Sequence, residues 1–98
     1  MCYNTYMIKT FKHKGLQQFF EKGTTKGIQA KHAKKLRNRL SALDTAHILD
    51  DMKLPGFEFH PLVGNKDGVY SIKVNGNWRV TFTFEDGDAH IVNYEDYH

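Results

Sequence analysis

Residues 75–98 read NGNWRVTFTFEDGDAHIVNYEDYH, and the way this stretch folds back on itself decides the architecture. Trp78, Val80, Phe82 and Phe84 alternate with Asn77, Arg79, Thr81 and Thr83, the period of two expected of a strand with one packed and one open face. Asp86-Gly87 is a strong two-residue hairpin signal. A turn closed there sets Ala89 and Ile91 with Phe84 and Phe82, His90 opposite Thr83 and Tyr94 opposite Arg79. It also turns Asn93 to the packed side, for which the sequence offers no reason. The stretch holds the only arginine after residue 40 and ends on Glu95-Asp96-Tyr97-His98, three of which can exchange protons or shape a proton donor, directly after a strand.

Working outward, Val69 to Val74 forms a preceding strand with Tyr70, Ile72 and Val74 on one face. A two-residue Asn75-Gly76 turn would set Ile72 opposite Arg79 and mix polar with apolar. A three-residue loop, Asn75-Gly76-Asn77, sets Tyr70, Ile72 and Val74 opposite Phe82, Val80 and Trp78, and is preferred because a slip of one residue inverts every side chain. The polar face then pairs Lys73 with Arg79 and Ser71 with Thr81. Further upstream, Phe57-Glu58-Phe59-His60-Pro61-Leu62 alternates with the two Phe on one side and Glu58 and His60 on the other. Pro61 places this segment at a sheet edge or a strand end.

The first half of the chain is helical apart from a short strand at Met7–Phe11. Leu16, Phe19 and Phe20 share one face of a helix over residues 13–22, stopped by Gly23. Ala33, Leu36, Leu40 and Leu43 form the stripe of a second helix over Gln29–Leu43. Together these elements predict an α+β domain, a small antiparallel sheet packed on one face by two N-terminal helices. Residues 7–98 form this domain, and residues 1–6, without a clear period, are expected to be an unstructured lead-in.

Ninety-eight residues suffice for one modest core. No apolar run approaches the ~18 residues of a membrane span, no signal pattern opens the chain, and the one cysteine, Cys2, excludes an internal disulfide framework. A cytoplasmic protein is expected. The net charge of +3 is unevenly distributed: residues 1–40 carry ten Lys/Arg against Glu21 alone, a balance of +9, and residues 41–98 carry four against ten acids, a balance of −6. Lys31, Lys34, Lys35, Arg37 and Arg39 crowd the second helix. Five cations in nine residues suit a polyanion, an acidic protein segment or simply a solvated surface.

On the polar face of the sheet the expected register collects Lys73, Arg79 and Tyr94, with His60 joining from the neighbouring strand. Like charges directly opposite, as Lys73 and Arg79 are, repel unless an anion lies between them, which points to a phosphate. The chemistry this suits is RNA strand cleavage. A base takes the 2′-hydroxyl proton, an acid protonates the departing 5′-oxygen, and a fixed cation stabilises the charge that develops on phosphorus. The planar, permanently charged fork of Arg79 suits the last role, His60 and His98 suit proton transfer, Tyr97 can orient a base or stack on a nucleobase, and Asp96 can hold a histidine tautomer. The six histidines show no metal-ligand spacing, a zinc knuckle cannot be built on one cysteine, and no glycine-rich phosphate loop is present, so neither metal nor cofactor is expected.

These residues carry a family resemblance. Met7 to Leu16 (MIKTFKHKGL), Phe59-His60-Pro61-Leu62, Val74 to Phe82 (VNGNWRVTF) and the terminal Asn93-Tyr94-Glu95-Asp96-Tyr97-His98 resemble the HigB toxins of the RelE superfamily. The resemblance covers residues 7–98. It implies a microbial-RNase-like fold and a toxin of a type II toxin–antitoxin system that cleaves mRNA in the decoding site of the ribosomal 30S subunit without a metal. It also implies a helix-turn-helix HigA-type antitoxin as partner, with operator DNA bound only through that antitoxin. The family's functional residues map onto His60, Arg79, Tyr97 and His98, and further onto Asp96 and Asn77. Where relatives commonly carry a lysine after His-Pro-Leu this chain has Val63, and Lys66 or Lys73 are the residues placed to replace it. Lys66, Lys73, Asn77 and the cations of the second helix are the expected RNA contacts. Two other readings are a catalytically weakened RNA-binding or operon-repressing protein and a ParE-like gyrase poison, a toxin of the same fold that needs no proton-transfer groups.

Overall fold

A computed structural model describes residues 8–46, 48–62, 68–85 and 87–96. The expected lead-in, residues 1–6, lies outside them, as do Val63, Lys66, Tyr97 and His98. Helix α1 (Lys14–Lys22) is followed by a 3₁₀ turn (Ala30–His32), helix α2 (Ala33–Thr45) and a second 3₁₀ turn (Leu49–Met52). The four strands β1 (His60–Pro61), β2 (Val69–Asn75), β3 (Trp78–Glu85) and β4 (Asp88–Asp96) come after them. They form one sheet in chain order, every neighbour antiparallel. This is the α+β arrangement expected from the sequence.

Both ends of α1 have a local cause. His13 caps α1, its Nδ1 accepting from the Leu16 N–H at 2.9 Å. Gly23 ends the helix with φ 77° and its N–H on the Phe19 carbonyl, the left-handed stop that glycine adopts without strain. Leu16 and Phe19 from α1, and Leu36, Leu40 and Leu43 from α2, are buried against Ile72, Val74, Val80, Phe82, Ala89 and Val92 of the sheet. The helix expected over Gln29–Leu43 begins as the 3₁₀ turn and becomes α-helical at Ala33; His32, in that turn and only 1% exposed, is buried with the stripe.

Two bulges correct the expected registers. Ile72 pairs with Val80 and Lys73 with Arg79, but Asn75 then pairs with Trp78. Val74 is therefore an extra residue, and the turn is Gly76-Asn77 rather than a three-residue loop. The bulge lets a two-residue turn coexist with the register the core demands. The second bulge has the larger effect. Phe84 pairs with Ala89 and Thr83 with His90, after which the register shifts: Thr81 faces Asn93, Val80 faces Tyr94, Arg79 faces Glu95 and Trp78 faces Asp96. The extra residue is Ile91, with φ 55° and its side chain 53% exposed. Beyond it the faces of β4 are exchanged. Ile91 does not join the core, Asn93 turns to the open face, and Tyr94 leaves the open face for the interior.

The bulge is held from the other end of the chain. Residues 8–13 run parallel to β4, bridging Ile8 to Ala89 and Phe11 to Val92. The Ile91 N–H donates to the Thr10 hydroxyl at 2.7 Å, and the Val92 N–H to the Thr10 carbonyl at 3.1 Å. The strand expected at Met7–Phe11 is thus present in its described part as two isolated bridges rather than a continuous ladder.

Tyr94 is 4% exposed, and a buried phenol needs a partner for its hydroxyl. His32 supplies it, Nδ1 lying 2.5 Å from the Tyr94 hydroxyl. Trp78 stacks on the Tyr94 ring at 4.5 Å, and His13 meets its edge at 5.5 Å. Burial lowers the pKa of His32 below its ordinary 6.5, with the charges of Lys31 and Lys35 adding to the effect. Burial also lowers His13, and it raises Tyr94. The cluster is therefore neutral.

The two histidines give a pH prediction. Both have folded-state values below the unfolded 6.5, so the unfolded chain takes up protons that the folded chain refuses. Their contribution to stability is intact above that value and declines as the pH falls from 6.5 towards the depressed folded values. Thermal melts should show Tm dropping between about pH 7 and pH 5. His13→Asn, which keeps a capping side chain without a titratable ring, should lose less stability over that range.

Candidate active site

The open face of the sheet is organised as two rows of residues in register. One row runs Lys73, Arg79, Glu95 across β2, β3 and β4. The other runs His60, Ser71, Thr81, Asn93 across all four strands. Hydrogen bonds stitch the rows together. Arg79 Nη1 donates to Ser71 Oγ at 3.2 Å, and Thr81 Oγ1 donates to Glu95 Oε2 at 3.0 Å. His60 Nε2 stands 3.5 Å from Ser71 Oγ, at the limit of a hydrogen bond. The hydroxyl residues Ser71 and Thr81 are 0% and 3% exposed. They form a polar floor beneath the exposed His60 and the half-buried Arg79.

His60 is oriented from below. Its Nδ1 lies 3.1 Å from the Glu58 carbonyl oxygen. A carbonyl only accepts, so Nδ1 carries the proton and the neutral ring keeps a lone pair on Nε2, the nitrogen on the side of Ser71 and Arg79. That is the tautomer a general base requires. Glu58 reaches this position through a left-handed backbone, φ 45°, a conformation uncommon for a residue with a side chain. The preceding carbonyl, of Phe57, accepts from the Lys73 N–H and joins the segment to β2.

The charges form a sequence. The carboxylate of Glu58 meets Lys73 Nζ at 3.0 Å, Lys73 lies across from Arg79, and Arg79 lies across from Glu95. The two cations that repel each other in register are thus flanked by a carboxylate on either side. The hydrogen bond and charge of Lys73 hold the Glu58 carboxyl below its ordinary range, with Arg79 and His60 contributing in the same direction. Reasoning from the sequence singled out neither Glu58, Ser71, Thr81 nor Glu95 for the site. Alternation had already put Glu58 beside His60, which was the available signal. Glu95 was hidden by the bulge.

The remaining expected site residues are dispersed. Asn77 is exposed in the β2–β3 turn, two residues before Arg79. Asp96 is opposite Trp78 and one residue out of phase with Glu95, so alternation sets it on the side of Tyr94 and not with the open-face rows. Lys31, Lys34, Lys35 and Arg37 are exposed on the helical side, across the sheet from His60 and Arg79. Arg37 also lies over the Phe19 ring at 5.6 Å. Arg39 differs from them. Its Nε donates to the Lys73 carbonyl at 3.0 Å, its Nη2 to the Gly56 carbonyl at 3.3 Å, and its guanidinium covers the Phe57 ring at 4.6 Å. It ties α2 to the segment that carries Glu58 and to β2. Tyr97, His98 and Lys66 lie outside the described residues.

The titration of Glu58 reports on this arrangement. Replacing Lys73 by Gln removes the main cause of its depressed pKa, so the Glu58 carboxyl should titrate at higher pH in Lys73→Gln than in the wild type, read by carbon-detected NMR.

Comparison with known proteins converges on one family. The family model described as the RelE-like toxin of the type II toxin–antitoxin system HigB matches residues 9–98. The chain is 50% identical over 92 residues to "Endoribonuclease HigB" of Proteus vulgaris, covering 94% of this chain and 100% of that one. It is 36% identical over 85 residues to "Toxin HigB-1" of Vibrio cholerae, covering 85% and 90%. Among solved structures, the YoeB–YefM complex of Staphylococcus aureus aligns with TM-score 0.60 at 20% identity, covering 93% of this chain and 97% of that chain. The YoeB dimer of the same organism aligns with TM-score 0.59 at 19% identity, covering 94% and 98%. At these identities the two structures speak for the fold.

Proposed function

The chain belongs to the HigB-like toxins, RelE-like toxins of type II toxin–antitoxin systems, and on that premise we propose that it is an endoribonuclease that cuts mRNA on the ribosome without a metal ion. The observation that carries this reading is the coupling of His60 to Arg79 through Ser71 on an open sheet face. It puts a lone-pair nitrogen and a permanent cation within one substrate phosphate of each other. The endoribonuclease name of the Proteus vulgaris relative supports it.

The reaction follows from these groups. His60 Nε2 takes the proton of a 2′-hydroxyl, whose oxygen attacks the adjacent phosphorus. Arg79 stabilises the charge on the non-bridging oxygens as the phosphorane-like transition state forms. The bond to the 5′-oxygen breaks, and that oxygen receives a proton from an acid, leaving a 2′,3′-cyclic phosphate and a free 5′-hydroxyl. The acid role is assigned to His98, and Tyr97 stacks on a nucleobase. Lys73, across from Arg79, supplies the second cation that the Val63 position lacks, which favours an active enzyme. Lys31, Lys34, Lys35 and Arg37 on the opposite surface contact ribosomal RNA, and Asn77 and Lys66 contact the message. A helix-turn-helix antitoxin of the HigA type neutralises the protein and carries the complex to operator DNA. The site of action is the cytoplasm, where messages are translated.

Two measurements test this. Arg79→Ala should fold with an unchanged melt and cleave translated mRNA about 10²–10³-fold more slowly, mapped by primer extension; cleavage at the wild-type rate would sink the assignment. Ribosome binding should weaken steeply between low and moderate salt, and replacing Lys31, Lys34 and Lys35 together by Gln should flatten that dependence. An unchanged salt slope would remove the helical face from the interface.

A further inference from the structure

We propose that Glu58 is a positioning residue of the cleavage reaction, acting through Lys73. The inference rests on the RNA-cleaving reading of the open face and adds a group to it. Three observations meet at Glu58. Its carboxylate is on Lys73 Nζ at 3.0 Å. Its carbonyl is on His60 Nδ1 at 3.1 Å. Its backbone is held left-handed, φ 45°, which turns the carbonyl and the carboxylate towards these separate partners. Glu58 thus bonds both the candidate base and the second cation.

The ion pair itself adds little to folding. Both side chains are well exposed, 36% and 56%, and exposed pairs contribute little. Its effect is on geometry. A lysine is a point charge on a flexible four-carbon stem, and without a partner it samples many positions over the face. Directly across from it stands Arg79, which repels it. The Glu58 carboxylate offsets that repulsion and keeps Nζ near the row where the phosphate enters. Glu95 stands on the far side of Arg79, on β4, with Oε2 accepting from Thr81.

A carboxylate beside an anionic substrate also has a cost, and the balance gives the kinetic signature. Removing the charge of Glu58 leaves ground-state attraction for RNA unchanged or stronger, while the transition state loses a fixed cation. Glu58→Gln should therefore lower kcat about tenfold with KM unchanged or reduced, an interaction of the size that neighbouring groups show in double-mutant cycles. The loss should vanish in a Lys73→Gln background, because Glu58 acts through that ammonium. Glu58→Asn, a residue type that adopts left-handed backbone more readily, should behave as Glu58→Gln does and controls for strain at the position.

The experiment is single-turnover and steady-state cleavage of translated mRNA by wild type, Glu58→Gln, Glu58→Asn, Lys73→Gln, the double variant Glu58→Gln/Lys73→Gln and Arg79→Ala, each checked by thermal melt. A kcat loss without a rise in KM, absent from the Lys73→Gln background, supports the proposal. An equal loss in both backgrounds, an effect on KM alone, or no effect overturns it. Arg79→Ala reports separately on the underlying reading: wild-type cleavage there removes the site itself, whereas its loss with a silent Glu58→Gln removes only the role of Glu58.

Discussion

The hydrogen bond from the Ile91 N–H to the Thr10 hydroxyl is the constraint on which the working face depends. It holds Ile91 in a left-handed conformation that a β-branched residue adopts only when its surroundings fix it. Because side chains alternate along a strand, one extra residue exchanges the faces of everything after it. Tyr94 enters the core, where His32 and Trp78 receive it. Glu95 comes across from Arg79, and Asn93 joins the row of Ser71 and Thr81. With a regular β4 the guanidinium of Arg79 would face a phenol, and the phenol would lose its partner in the interior.

A second set of bonds fixes the near side of the same face. Arg39 reaches from α2 to the carbonyls of Lys73 and Gly56 and lies on the Phe57 ring. The segment from Gly56 to His60 therefore hangs on a helix that packs on the opposite side of the sheet. Phe57 is buried while Glu58 and His60 are exposed, so one short stretch anchors in the core and presents a base and a carboxylate to solvent. The most basic helix thus contributes one structural cation, Arg39, and three exposed ones.

The elements that follow local pattern could be read from the sequence. Alternation in Val69–Val74 and Trp78–Phe84 gave the faces of the central strands and the opposition of Lys73 to Arg79. The leucine spacing gave α2, and Gly23 gave the end of α1. What could not be read was set by contacts distant in the chain. The bulge at Ile91 is specified by Thr10, and no local propensity marks it; the one trace was Asn93, which a regular register turned inward. His32 looked like another polar residue of a cationic segment, since only the fold reveals the phenol it meets. Arg39 was indistinguishable from Arg37 for the same reason, as its carbonyl partners belong to other elements. In the candidate site, Arg79 and His60 were found by type and strand position, whereas Glu95 required the bulge.

The pairing of residues 8–12 with residues 89–92 has a consequence for how the chain reaches this state. The Thr10–Ile91 bond closes a separation of 81 residues, and closing a loop of that length has to precede any return from the contacts it permits. Helices α1 and α2 can form early from local sequence, but β4, which completes the sheet, is synthesised after the other three described strands. Such non-local pairing is slow relative to helix formation. During its own translation the nascent chain therefore carries helices with no sheet to cover their apolar stripes. The row that joins Glu95 to Arg79 closes only after the final strand has been made.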